Sequence, residues 1–338
     1  MPAKIDLMSL ERALRNTDDF PKLARQYFKE VEGSAGKLSF DLVDPGLIIP
    51  PPAGTDRRET HYEFKDIPGG IAGWLIRCEV NNRLDRYDER KLTQPNAIRV
   101  VAEGDSWFQH PLIHDLIDHI NNDPEFNVLS LASAGSELSQ MVDPADYLKA
   151  VRKEQPKLFL LSAGGNDFLG DIRPFVRPDR APFPDTPAGY IKQPQYRALL
   201  EKLRVWLQEV FAAVLKKGTS VARVLMHTYA HVIPVPPANP STPVPHNDDR
   251  AGPWLGLRFD ELGFRDDNTR YEVAKAMLDQ YRALCAEVAA EARWGGRVEV
   301  FSFKTDLSKP SQWFDEIHPK NGPAGKLAAE YLKRMKAA

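Results

Sequence analysis

The chain is expected to fold as an α/β domain built on a parallel sheet covered by helices on both faces. Two observations carry this expectation. Five short apolar runs, at residues 97–102 (AIRVVA), 126–131 (FNVLSL), 157–161 (KLFLL), 221–226 and 298–303, alternate with segments whose apolar residues recur at helical spacing. Sequence motifs rich in glycine, serine, aspartate and histidine then fall at the ends of those runs, where ligands bind in such sheets.

Taken in order, the first run ends at Gly104-Asp105-Ser106-Trp107 and is followed by a helical pattern over 112–120. The second leads to Gly135 and a helix over 138–151, with an interruption expected at Pro144. The third ends at Gly164-Gly165-Asn166-Asp167 and is followed by a long amphipathic helix over 196–215, closed by Gly218. A helix over 271–292 follows the fourth run. The fifth leads to Asp315-Glu316-Ile317-His318 and a closing helix over 324–335, placed after Gly322-Pro323.

Residues 1–95 read differently, as an N-terminal extension with little strand–helix alternation, set against the motif-bearing domain over 96–338. A helix is expected over 10–31, a proline-rich stretch over 38–61, and a solvated charge run over 83–91 (RLDRYDERK). Two proline-rich insertions, 168–195 and 233–264, follow strands whose carboxyl ends face the motifs, and such loops often form lids or binding walls. Their aromatic residues, Phe168, Phe175, Phe183, Tyr190, Trp254 and Phe259, are read first as local core and second as an acyl pocket.

Composition narrows the function. At 42% hydrophobic and 27% charged residues the chain can bury a sizeable core, and a net charge of −2 gives no electrostatic footprint for nucleic acid. Cys78 and Cys285 lie far apart without metal-ligand spacing, so two buried thiols are expected. Charges at Asp6, Glu11 and Arg12 break the N-terminus, and no signal peptide, transmembrane span or membrane-binding helix is expected. A cytoplasmic location follows as the default, with export that needs no cleaved signal left open.

The motifs together supply a nucleophile, a base and oxyanion donors. Ser106 follows a strand and precedes a helix, where backbone N–H groups favour developing negative charge. A helix N-cap is the plain alternative for a lone serine. His318 is the expected general base, and Asp315, three residues earlier, can reach its other ring nitrogen across a turn. Gly135, Asn166 and the Ser106 backbone N–H are the expected oxyanion donors. Asp105 and Asp167 are expected to bind loop backbone. Trp107 and Asp167 also stand close enough in sequence to line a substrate site. His110 and His114 share i, i+4 spacing, but His119 would point away from both at helical pitch. His227 and His231 flank a strand end, so no metal site is expected. The first turn lacks the Gly-x-Gly-x-x-Gly spacing of a dinucleotide site.

In these residues the sequence resembles the SGNH hydrolases, also called GDSL-type esterases and lipases, over roughly residues 96–338. The resemblance implies a flavodoxin-like three-layer α/β/α sandwich with a five-stranded parallel sheet. It implies an acyl-enzyme mechanism without metal or organic cofactor, in which Ser106, Asp315 and His318 form the triad and Ser106, Gly135 and Asn166 the oxyanion hole. Trp107 replaces the leucine of the commonest first motif, and the segment 131–138 (LASAGSEL) fits the second motif loosely. The expectation is a serine esterase acting on a small-molecule, lipid or carbohydrate ester. A carbohydrate O-acetylesterase differs only in substrate, and a lipase, lysophospholipase or thioesterase would use the insertions as an acyl pocket. A non-catalytic scaffold is the reading from another class; it has no physical need for serine, histidine, aspartate and asparagine together.

Overall fold

The structure, a computed structural model, describes residues 2–31, 39–49, 69–143, 145–234 and 255–337. The N-terminal segment contains α1 (Leu7–Arg15), α2 (Phe20–Tyr27) and an antiparallel pair, β1 (Phe28–Val31) and β2 (Ser39–Leu42). The single helix expected over 10–31 is therefore two helices and a strand. The Asp19 side chain caps a new helix by accepting the Lys22 N–H, and Pro21 sits in its first turn, where its missing N–H costs nothing. At Phe28 burial begins to alternate, with Phe28 and Glu30 turned inward.

Next comes α3 (Gly70–Thr93), 24 residues long. It corrects the solvated reading of 83–91. Asp85, Arg86, Asp88 and Glu89 are exposed, but Arg83, Tyr87 and Arg90 recur at helical spacing on the face turned toward the domain. Arg83 donates to the Phe108 carbonyl at 2.6 Å and pairs with Glu79 (2.9 Å), Asp115 (2.5 Å) and Asp118 (3.2 Å). Arg90 donates to the Phe126 carbonyl at 2.9 Å, and Tyr87 donates to Glu154 at 2.8 Å.

The main sheet holds β3 (Ile98–Gly104), β4 (Phe126–Ser130), β5 (Leu158–Ser162), β6 (Arg223–Thr228) and β7 (Val298–Ser302). Its order is β4-β3-β5-β6-β7, all parallel. That is the doubly wound order of flavodoxin-like folds. Buried on both faces, its strands carry near-continuous apolar sequence; every residue of β5 is buried. One helical layer pairs α4 (Leu116–Ile120) with α11 (Asn321–Met335). In the other, α5 (Leu138–Val142), α6 (Tyr147–Glu154) and α10 (Asp267–Ala289) pack on α8 (Gln193–Val214). Two further short helices are α7 (Asn166–Leu169) and α9 (Leu255–Glu261).

Three helix expectations change. The helix over 112–120 starts only at Leu116, because Asp115 caps it and residues 105–114 are spent in turns. His110 and His114 thus do not share a helix face, and the His114 and His119 rings lie 6.2 Å apart. The helix over 138–151 is two helices, α5 and α6; Pro144 lies outside the described residues. The closing helix begins at Asn321 and takes Gly322-Pro323 into its first turn, a position that tolerates proline. In the insertions, Phe168, Tyr190 and Phe259 are buried in the main core and Phe175 packs against it, but Phe183 is exposed. Trp254 lies outside the described residues, as do residues 235–253. Both cysteines are buried and free. Among the described residues, no helix is long and apolar enough to cross a membrane.

A second apolar cluster joins the N-terminal segment to the domain: Leu10, Phe28, Trp74 and Leu75 pack with Leu112, Ile113 and Phe314. The N-terminal segment thus reaches both the loop after Ser106 and the loop before His318. Burial pushes Glu79 up to about 7 despite the Arg83 charge beside it. Removing Arg83 would strand two buried carboxyls, Glu79 and Asp115, and a half-buried one, Asp118. Arg83→Leu is expected to destabilise the fold by about 3–5 kcal/mol, read as a lowered urea midpoint.

Candidate active site

The turn after β3 is set by a close approach. A side chain at Gly104 would place a Cβ 2.7 Å from the Ser162 carbonyl oxygen, so only glycine lets β3 end against β5. Asp105 then holds the turn. One carboxylate oxygen accepts the Trp107 N–H at 3.0 Å and the Ser162 hydroxyl at 2.7 Å, and the other accepts the Tyr229 hydroxyl. Burial raises Asp105 above its ordinary value against the pull of these donors.

This turn presents Ser106 to the last loop. His318 Nε2 lies 2.7 Å from the Ser106 hydroxyl oxygen, and His318 Nδ1 lies 2.5 Å from Asp315. The second oxygen of Asp315 accepts the backbone N–H groups of Ile317 (2.7 Å) and His318 (2.6 Å), so one carboxylate fixes both the imidazole and the loop that carries it. Burial works against an ionised Asp315. The charge and hydrogen bond of His318, with His110 and the Ile317 N–H, nonetheless hold it below its ordinary value. The loop is braced by the Phe314 N–H donating to the His318 carbonyl at 2.8 Å and by the Trp313 indole donating to Leu307 at 2.8 Å.

The loop from 131 to 137 is tethered beside Ser106: the Ser133 N–H donates to the Gly104 carbonyl at 2.9 Å. Gly135 follows with φ +80°, a left-handed conformation that favours glycine. The Asn166 amide donates to the Ser136 carbonyl at 2.9 Å, and Asp167 accepts the Leu138 N–H at 3.0 Å. Neither the Ser106 N–H nor the Gly135 N–H makes a hydrogen bond among the described residues. Burial pushes Asp167 up to about 7.

Trp107 faces inward as well as toward the site. Its ring stacks on Phe303 and meets Tyr229 and Trp313 edge-on. It also borders a small cavity of about 10 Å³ that touches Ser106, Ile113, Leu116, His318 and Pro319. His227, at the other side of Trp107, lies 2.7 Å from the Tyr331 hydroxyl, and burial lowers it to about 3, so it is neutral. His231 pairs with Asp279 at 2.8 Å.

Sequence reasoning passed over Glu30 and weighed His110 only as a metal ligand. His110 is fully buried, with its ring centroid 4.5 Å from that of His318. Glu30, from β1, lies 3.6 Å from His110 Nε2. The available signal was the period-two placement of Glu30 on the face of Phe28 in the short run 28–31 (FKEV). Glu30, His110, Asp315 and His318 offer donor atoms within 4.8 Å of one another, a set whose atom types suit a metal ion. The 2.5 Å contact between Asp315 and His318 is a hydrogen-bond distance. Two ligands of one tetrahedral zinc would stand about 3.3 Å apart, so the set is arranged as two acid–imidazole pairs.

Solved structures similar to this chain include three hydrolases. One is a catalytic mutant of an acetylxylan esterase from Geobacillus stearothermophilus, 13% identical, covering 70% of this chain and 94% of that one, with a TM-score of 0.40. A lipase/acylhydrolase from Enterococcus faecalis is 15% identical over 71% of this chain and 96% of its own, with a TM-score of 0.38. LAE5, an alpha/beta hydrolase enzyme from the metagenome of Lake Arreo, Spain, is 15% identical over 71% and 96%, with a TM-score of 0.36. No family model matches the chain, nor does any curated protein.

Glu103, next to Gly104, is pushed up to about 8 by burial, with the Asp146 charge adding to the effect and the Gly104 N–H opposing it. A carboxyl raised on folding binds a proton that the unfolded chain has released, so stability is lost as pH rises toward that value. Glu103→Gln is expected to gain on wild type in melting temperature between about pH 5 and about pH 9, and thermal melts across that range check it.

Proposed function

We propose that this protein is a serine ester hydrolase that works through an acyl-enzyme intermediate. The observation that carries the reading is the unbroken chain of contacts from the Ser106 hydroxyl to His318 to Asp315, at 2.7 and 2.5 Å. In the first step, Ser106 Oγ bonds to the acyl carbon while its proton passes to His318 Nε2. That proton then leaves with the alkoxide, which departs as an alcohol. Water attacks the acyl-enzyme, gives its proton to His318, and releases a carboxylic acid as the Ser106 oxygen takes the proton back. Asp315, held ionised, keeps Nδ1 protonated and stabilises the imidazolium between these transfers.

The tetrahedral oxyanion would be met by the Ser106 and Gly135 N–H groups and by the Asn166 amide. The two backbone groups are supported by having no other acceptor among the described residues. One amide hydrogen of Asn166 is spent on Ser136, which orients the group and leaves the second for the oxyanion. Ser106 is 4% exposed and the adjoining cavity holds only about 10 Å³. Space of that order is about that of a methyl group or a water, which is in keeping with a short acyl chain such as acetate. A carbohydrate O-acetylesterase is one substrate class compatible with such an acyl group.

Turnover of p-nitrophenyl esters from acetate to long acyl chains tests both parts. Rates are expected to be highest for acetate and to fall with chain length; a rise with length would reject the short-acyl reading. Ser106→Ala should lose all measurable turnover with its melting temperature kept, and retained turnover would reject the nucleophile. Asn166→Ala should lower kcat by about 10²–10³ with a small change in KM, and an unchanged kcat would remove it from the oxyanion site.

A further inference from the structure

Two carboxylate–imidazole pairs lie side by side at this site, and the proposed mechanism uses only one. The second joins Glu30, on the inward face of β1, to His110, in the turn after Ser106. Both side chains are fully buried. The orientation of His110 is fixed at its other nitrogen, where Nδ1 accepts the Leu112 N–H at 3.2 Å. A ring that accepts at Nδ1 carries its proton on Nε2 when neutral, and Nε2 is the atom 3.6 Å from Glu30. The His110 backbone N–H is held as well, donating to Asp115 at 3.0 Å.

The Glu30 carboxylate is buried beside the two imidazoles. Glu30 shares its strand face with Phe28. The His318 imidazole, which becomes cationic in each proton transfer, lies within the same 4.8 Å set of donor atoms. We propose that Glu30 and His110 are positioning residues for His318: the neutral His110 ring packs against the His318 ring and holds it in place, and the Glu30 charge stabilises the imidazolium that forms there. The N-terminal segment would then complete the active site instead of merely covering the domain. This inference rests on the serine-hydrolase reading.

Charged and titratable groups from four elements face these pairs among the described residues. Arg83 comes from α3, Asp115 from the cap of α4, Asp105 from the turn after β3, and Asp315 from the last loop. Burial first, and then the His318 charge, push His110 well below its ordinary value, so it stays neutral through the working range. The Glu30 carboxylate lies within the same 4.8 Å set of donor atoms as His318 and Asp315.

The test is the rate at which a fluorophosphonate modifies Ser106 in the full-length protein, measured against pH. That reaction needs only an activated serine: Ser106 Oγ bonds to phosphorus, fluoride leaves, and the hydroxyl proton passes to His318. It is therefore independent of the natural ester. Glu30→Gln keeps the side-chain volume and removes the charge. Its modification rate is expected to fall about tenfold, and the acid limb of its profile to move to lower pH by about one unit. Glu30→Asp, which restores the charge, should return the limb toward the wild-type position. A lower rate with the acid limb unmoved would mean a structural role and overturn the proposal, as would a Glu30→Gln profile that overlays wild type. Near-UV circular dichroism establishes that each variant is folded; if Glu30→Gln does not fold, the limb of Glu30→Asp against that of His110→Gln decides in the same terms. Failure of the wild type itself to label at Ser106 would instead reject the hydrolase reading, and this inference with it.

Discussion

The carboxylate of Asp105 sits where three strands end. It takes the Ser162 hydroxyl from the end of β5, the Tyr229 hydroxyl from just beyond β6 and the Trp107 N–H from its own turn. One side chain thereby joins the carboxyl ends of β3, β5 and β6 and sets the direction in which Ser106 leaves the sheet. The approach of Gly104 to Ser162 makes this possible, since a larger residue would lift the turn away from the donors. The parallel order of the sheet places the other loops around the same point, because every strand delivers its carboxyl end to one edge.

The buried carboxyls around that edge divide by what faces them. Asp315 faces an imidazole and two backbone N–H groups and is held below its ordinary value. Asp105 accepts neutral hydroxyl donors and a backbone N–H but, among the described residues, forms no ion pair, and burial prevails. Glu103 and Asp167 have a backbone N–H each and rise further, to about 8 and about 7. Chemically similar groups at one edge of the sheet are thus separated by whether a positive partner repays their desolvation. The proposed triad uses the carboxyl that is held below its ordinary value.

The N-terminal segment reaches this edge from outside the sheet. Its apolar residues share a cluster with Leu112, Ile113 and Phe314, which flank the loops carrying Ser106 and His318. Arg83 of α3 adds a polar latch on the Phe108 carbonyl, two residues past Ser106. Both contacts act on the backbone that positions the serine and histidine. Glu30 enters through the same packing, since the strand that buries Phe28 must bury the next residue on its face.

Much of this was legible in the sequence because it is encoded locally. Parallel strands buried on both faces leave continuous apolar runs, and turns at their carboxyl ends leave glycine, serine and aspartate at short fixed spacing. Asp315 and His318 are three residues apart, within reach of each other across one turn. Those signals were enough to expect the sheet, its flanking helices, and Ser106, Asn166 and His318 at one edge. The N-terminal helices and strand were misread because Asp19 and Pro21 start a new helix inside an apolar pattern, and local spacing alone does not separate two short helices from one long one. The inward face of the 83–91 charge run was hidden because alternating charges look solvated until their partners, Asp115, Asp118 and Glu154, come from distant elements. The placement of Glu30 and His110 beside His318 was decided by tertiary structure alone. Their pairing depends on β1 docking against a loop far along the chain, and burial, which gives that pairing its electrostatic weight, exists only once the two are packed.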